Sequence, residues 1–146
     1  MAPVAIQPLY TAVATSHGGR NGRVRTDNGT IDMALSMPKA LGGAEAAGST
    51  NPEQLFAAGF SACFESALRL VAGKMKKPLK DAHITAKATI GKTAEGGFGL
   101  AVELHGDIAG VSQAEADELM HAAHKVCPYS NATRDNIEVK LSAKAV

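Results

Sequence analysis

Asn51-Pro-Glu-Gln-Leu-Phe-Ala-Ala-Gly-Phe-Ser-Ala-Cys-Phe-Glu-Ser-Ala-Leu68 decides the architecture. Asn51 is a good N-cap, Pro52 suits the first helical position and Gln54 can close a capping box. The pattern predicts a helix from Pro52 into the low seventies. Through Phe64 it is apolar nearly all round, so a buried central helix is expected. Lys74 to Lys80, with Pro78, forms its polar exit.

Strand patterns lie on both sides. Upstream, Leu9-Tyr-Thr-Ala-Val-Ala-Thr15 alternates as a strand does. Arg23-Val-Arg-Thr26 and Ile31-Asp-Met-Ala-Leu-Ser36 flank Asp27-Asn-Gly-Thr30, a strong hairpin signal, and Ile31, Met33 and Leu35 share one face. A three-stranded antiparallel meander is expected, with Gly18, Gly19 and Gly22 as a flexible turn around Arg20. Downstream, His83–Ile90 and Phe98–His105 alternate around a Gly96-Gly97 turn. Ser112 and Glu115 form a capping box opening a helix to about Val126, which Pro128 should stop or kink. Ile137–Leu141 is the last strand. Strands, helix, strands, helix, strand in that order is an α+β fold, read as one domain over residues 1–146.

Composition narrows the function. The 146 residues carry a net charge of +1, with 20% charged residues, which gives no electrostatic case for nucleic acid or an anionic membrane. No stretch reads as approaching the roughly 20 apolar residues of a membrane span. Nor is a signal peptide visible in Met-Ala-Pro-Val-Ala-Ile, so a cytoplasmic location is expected. Hydrophobic residues make up 45% but aromatics only 4%, with no Trp. Much of the apolar content is Ala, which buries little area per residue, so self-association is a natural source of stability.

Two cysteines carry the chemistry. Cys63 lies inside the first helix and Cys127 ends the second, in His121-Ala-Ala-His-Lys-Val-Cys-Pro-Tyr-Ser-Asn-Ala-Thr133. A reactive thiol needs a thiolate, and mid-helix Cys63 gains nothing from the helix dipole. The cation that stands out is Arg20, in Gly18-Gly-Arg-Asn-Gly-Arg23. Each residue also has a plainer reading. Both cysteines fit small core hydrophobes. Arg20 fits a surface charge, and Glu53 a carboxylate favoured in a first helical turn. His121, His124 and Cys127 are three potential metal ligands, but steps of three residues fan them around the helix and make a poor chelate.

The Asn51–Phe64 segment resembles the signature of the organic hydroperoxide resistance (Ohr) branch of the OsmC/Ohr family. Cys127-Pro-Tyr-Ser-Asn-Ala-Thr133 resembles its second signature, and Gly18-Gly-Arg-Asn-Gly22 its glycine-flanked arginine turn. Phe60 stands where many relatives carry Tyr. The resemblance implies an intertwined homodimer that reduces alkyl and fatty-acid hydroperoxides to alcohols. It implies a dihydrolipoyl protein or dihydrolipoamide as reductant; no bound cofactor or metal is expected. It makes Cys63 the peroxidatic cysteine, Cys127 the resolving one, and Arg20 and Glu53 the catalytic arginine and its carboxylate partner. Phe60 and Phe64 are candidate substrate-lining residues. Two alternatives stay open: an OsmC-branch peroxidase of different substrate preference, and a non-enzymatic redox-sensing domain.

Overall fold

Asp27–Thr30 folds the chain back on itself: the Thr26 N–H donates to the Ile31 carbonyl at 2.8 Å, and Gly29 takes φ 74°. This turn belongs to the first of two compact units, Met1–Pro52 and Glu53–Val146, of a computed structural model that describes residues 2–146. Strands β1 (Ala14–His17), β2 (Arg23–Thr26) and β3 (Asp32–Ala34) form an antiparallel sheet in that order, the expected meander. The strand expected over residues 9–15 is shifted. Pairing starts at Ala14 opposite Thr26, because the next residue of β2's chain is Asp27, where the turn begins. The third strand is shorter than expected: beyond Ala34, Leu35 pairs with Thr50 instead. Of Ile31, Met33 and Leu35, only Leu35 is buried.

Helix α1 (Pro52–Lys74) has 23 residues and starts at the expected proline. It is not buried all round. Phe60, Phe64, Ala67, Leu68, Val71 and Ala72 are buried, whereas Ala58 and Ala62 are exposed, so the core takes one face. By length and composition α1 is also long and apolar enough to cross a membrane, which corrects the reading of the sequence. Its two charges in the apolar run, Glu65 and Arg69, pair with each other at i,i+4 spacing.

Strands β4 (Asp81–Lys92) and β5 (Phe98–Ala109) form an antiparallel hairpin longer than the sequence pattern suggested, turning at Gly96. Helix α2 (Gln113–Val126) opens with the expected capping box, the Ser112 hydroxyl accepting from the Glu115 N–H. A short helix α3 (Pro128–Thr133) follows, then β6 (Val139–Ala145), which pairs with β5 in parallel. The last strand begins two residues later than expected. The N–H groups of Asn136 and Ile137 both donate to the Thr133 carbonyl, so the end of α3 keeps them out of the ladder. The core joins Phe60, Phe64 and Leu68 of α1 to Val102, Leu104 and Ile108 of β5 and to Leu119 and Met120 of α2. Within that inward row of β5, Gly106 leaves room for α2: a Cβ there would lie 2.7 Å from Met120 Sδ.

Candidate active site

Phe56, Gly59, Phe60 and Cys63 recur at steps of three and four, so α1 presents them along one face. The facing residue comes from the end of α2. Pro128 disfavours helical backbone in the residue before it, and Cys127 sits at φ −62°, ψ 123°, outside both helices. Pro128 then starts α3, where its missing N–H costs nothing. Cys127 thus occupies an elbow. Its N–H donates to the Ala123 carbonyl and its carbonyl accepts from Asn131 N–H, both at 2.9 Å. Across the elbow, His124 Nδ1 and Ser130 Oγ lie 2.9 Å apart, the Arg134 guanidinium donates to the His124 carbonyl, and Thr133 Oγ1 donates to the Tyr129 carbonyl at 2.9 Å.

This arrangement brings together two thiols 64 positions apart. Cys127 Sγ lies 3.5 Å from Cys63 Sγ, and both are free. Cys127 has no exposed surface; Cys63 is half-buried. A disulfide bond is about 2.0 Å long, so closure asks the sulfurs to approach by about 1.5 Å. Burial pushes the Cys63 thiol pKa above its ordinary value. The Tyr129 backbone N–H pulls it down, and the adjacent Cys127 sulfur adds to the rise, because two thiols in contact resist ionising together.

The other expected residues are placed as follows. Arg20 belongs to the first unit and stands on a 3-10 turn, Gly19–Asn21. Its glycines differ: a Cβ on Gly22 would fall 1.7 Å from the His17 carbonyl oxygen, whereas one on Gly19 would meet nothing within 4 Å. Glu53 lies in the first turn of α1. The helix runs unbroken through Gly59, so Glu53 stands about 15 Å along the axis from Cys63 of the same chain. Phe60 and Phe64 have no exposed surface. His121 Nδ1 lies 2.8 Å from the Asp117 carbonyl oxygen and His124 pairs with Ser130, so each is engaged close to its own helix. Burial, then Arg134 and His121, hold His124 below the ordinary histidine pKa.

Sequence reasoning missed Tyr129, Phe56 and Gly59. The Tyr129 ring packs 6.2 Å from Phe56 and 5.6 Å from Phe60, directly over Gly59. A signal was present: glycine inside a good helix costs about 1 kcal/mol against alanine and asks for a reason.

Comparison with known proteins gives a consistent result. The profile of the OsmC-like protein family matches residues 43–142. An organic hydroperoxide resistance protein of Xanthomonas axonopodis pv. citri is 50% identical over 135 residues, covering 92% of this chain and 94% of that protein. The crystal structure of an organic hydroperoxide resistance protein from Elizabethkingia anophelis, with crystallant-derived thiocyanate bound, matches with a TM-score of 0.90. It is 53% identical, covering 97% of this chain and all of that one. A Vibrio cholerae structure with captopril bound in one of its active sites matches with a TM-score of 0.86 at 44% identity, covering 94% of each chain.

Proposed function

From its membership of the OsmC-like family, in the branch of organic hydroperoxide resistance proteins, we propose that this chain is a two-cysteine peroxidase for organic hydroperoxides. The observation that carries this reading is the 3.5 Å approach of the two free sulfurs. The Cys63 thiolate attacks one peroxide oxygen, the O–O bond breaks, and the alkoxide leaves and takes up a proton as the alcohol. Cys63 is left as a sulfenic acid. The Cys127 sulfur attacks it, an S–S bond forms, the S–O bond breaks, and the hydroxide leaves as water with the Cys127 proton. A dithiol reopens the disulfide by exchange and is itself oxidised to a disulfide.

Burial works against the first step by disfavouring the Cys63 thiolate. A cation is therefore required, and we assign that work to Arg20, with Glu53 gripping its guanidinium in a bidentate pair. Since Glu53 stands about 15 Å along α1 from its own Cys63, the reading places Arg20 and Glu53 of one protomer at Cys63 and Cys127 of its partner, in an intertwined homodimer. Exposed Val4, Ile6, Leu9 and Tyr10 support such pairing.

Aromatic surface near Cys63 suits alkyl and fatty-acid hydroperoxides better than hydrogen peroxide. Phe56 and Tyr129 supply its accessible part, while Phe60 and Phe64 back it from the core. The assigned reductant is a dihydrolipoyl protein or dihydrolipoamide. Captopril, bound in the relative's active site, is a small thiol, which supports access for a thiol-bearing molecule. The family match crosses the boundary between the two units, which favours one OsmC-like domain over residues 1–146. A cytoplasmic location fits a dithiol-driven cycle.

One assay tests the reading: peroxide consumption driven by dihydrolipoamide or thioredoxin, with an alkyl hydroperoxide and hydrogen peroxide in parallel. Turnover is expected with dihydrolipoamide and the alkyl substrate. Cys63→Ser abolishes it, and Cys127→Ser reacts once and keeps its sulfenic acid. A Cys63→Ser variant that turns over normally defeats the assignment, and a wild type that oxidises once and stops is a sensor instead. Refolding a mixture of Cys63→Ser and Arg20→Ala should restore about a quarter of the sites if sites are shared between protomers, and none if they are not.

A further inference from the structure

The Tyr129 ring packs against Phe56 and Phe60 and lies over Gly59 of α1. The Tyr129 ring lies nearly parallel to Phe56, at 21° and 6.2 Å, and edge-on to Phe60 at 5.6 Å. Beneath it is Gly59, one helical turn before Cys63. A Cβ on Gly59 would lie 2.8 Å from Tyr129 Oη, 3.1 Å from Cε2 and 3.2 Å from Cζ. Such a group needs the ring to shift, and Phe56 and Phe60 already pack against that ring. The second glycine of α1 differs: a Cβ on Gly73 meets nothing within 4 Å. Gly59 is therefore a gap shaped for a ring.

What the ring holds bears on the chemistry. Tyr129 is two residues from Cys127, and its backbone N–H acts on the Cys63 sulfur. Any push on the ring reaches the turn that carries both the Cys127 sulfur and this N–H. We propose, resting on the peroxidase reading above, that Gly59 is a positioning residue: the gap it leaves in α1 seats the Tyr129 ring and so holds the Cys127–Pro128–Tyr129 turn against Cys63. It touches neither substrate nor reacting sulfur and acts through Tyr129. Its effect falls on closure of the disulfide, where a small misplacement of the attacking sulfur is costly, and on the Cys63 thiolate, which loses a donor if the turn lifts.

The experiment compares wild type, Gly59→Ala, Tyr129→Ala and the double variant in the full chain. Two quantities are read: the rate of disulfide formation after one equivalent of alkyl hydroperoxide, and the pH dependence of Cys63 alkylation. Gly59→Ala should slow disulfide formation on the order of tenfold and move the alkylation profile to higher pH. Alanine favours the helix more than glycine does, so loss of fold is not the expected cause. In the Tyr129→Ala background, adding Gly59→Ala should change neither quantity, since the ring it collides with is gone. Gly59→Ala matching wild type in both, or costing the same factor with and without Tyr129, overturns the proposal. Should Gly59→Ala fail to fold, Tyr129→Ala against the double variant carries the test, and a difference between those two overturns it. A wild type that forms no disulfide with peroxide defeats the peroxidase reading instead. The alkylation profile needs no peroxide and still decides the role of Gly59.

Discussion

The two sheets are held by different physics. In β4–β6, the middle strand β5 runs for 12 residues and turns Val102, Leu104, Gly106 and Ile108 into the core. In β1–β3, the strands are three or four residues long and none of their residues is buried. A short sheet without an apolar face is marginal by itself. Turns shape the first sheet: the Asp27–Thr30 reversal and the glycine-lined turn under Arg20. Apolar burial shapes the second. The free energy of folding within this chain is thus concentrated in Glu53–Val146, while Met1–Pro52 offers backbone geometry and a turn that carries half-buried Arg20.

The largest effect should come from the buried side. Phe64→Ala removes a ring with no exposed surface and should cost about 3–5 kcal/mol. Met33→Ala in β3, where the side chain is substantially exposed, should stay within about 0.5 kcal/mol. Urea unfolding of the two variants measures the contrast. Equal costs would break it and mean that β3 has an apolar partner.

Gly22→Ala probes the turn side and should rank second. The new Cβ meets backbone on two sides, the His17 carbonyl oxygen at 1.7 Å and Gly18 Cα at 2.7 Å, so the turn must open. About 1–3 kcal/mol is expected, as for other overpacked sites. The readout is local. The Leu35 N–H donates to the Gly22 carbonyl at 2.8 Å, and its hydrogen exchange should accelerate while amides in β5 stay protected. Uniform loss of protection would show that the two units unfold together.

These contrasts also explain which parts were legible in the sequence. Local signals were reliable: Pro52 at the helix start, Ser112 with Glu115, and the Asp27–Thr30 hairpin all form from neighbouring residues. Features that depend on distant packing were not. The parallel pairing of β5 with β6 needs the α2–α3 crossover, and the late start of β6 needs the grip of the Thr133 carbonyl on Asn136 and Ile137. The helix was misjudged twice for one reason. Its apolar residues are spread around the axis, so the pattern could not tell which face the core takes, and the paired charges Glu65 and Arg69 hid its membrane-like length. At the site, the motifs marked both cysteines, but the Tyr129 contact with Gly59 depends on how α3 lies across α1. Beside Arg20, composition suggested three equivalent glycines, whereas Gly22 is tightly packed and Gly19 meets nothing within 4 Å.

The smallest expected effect sharpens the comparison most. Leu9 is 99% exposed, and Val4 and Ile6 exceed 80%. On its own chain Leu9 buries nothing, so Leu9→Ala should leave the unfolding of dilute, dissociated protein within about 0.5 kcal/mol of wild type. In the proposed two-fold dimer the same side chain would be covered twice, once per protomer. Burying a leucine is worth about 1.5–3 kcal/mol, so its loss should raise the dimer dissociation constant roughly tenfold or more. Sedimentation across a concentration series reads that shift, and apparent stability should become more concentration-dependent in the variant. If Leu9→Ala leaves dissociation unchanged, the exposed segment is not what joins the protomers. If it destabilises the dissociated chain, the segment packs on its own unit, and the contrast between a turn-built first sheet and a core-built second one fails where it began.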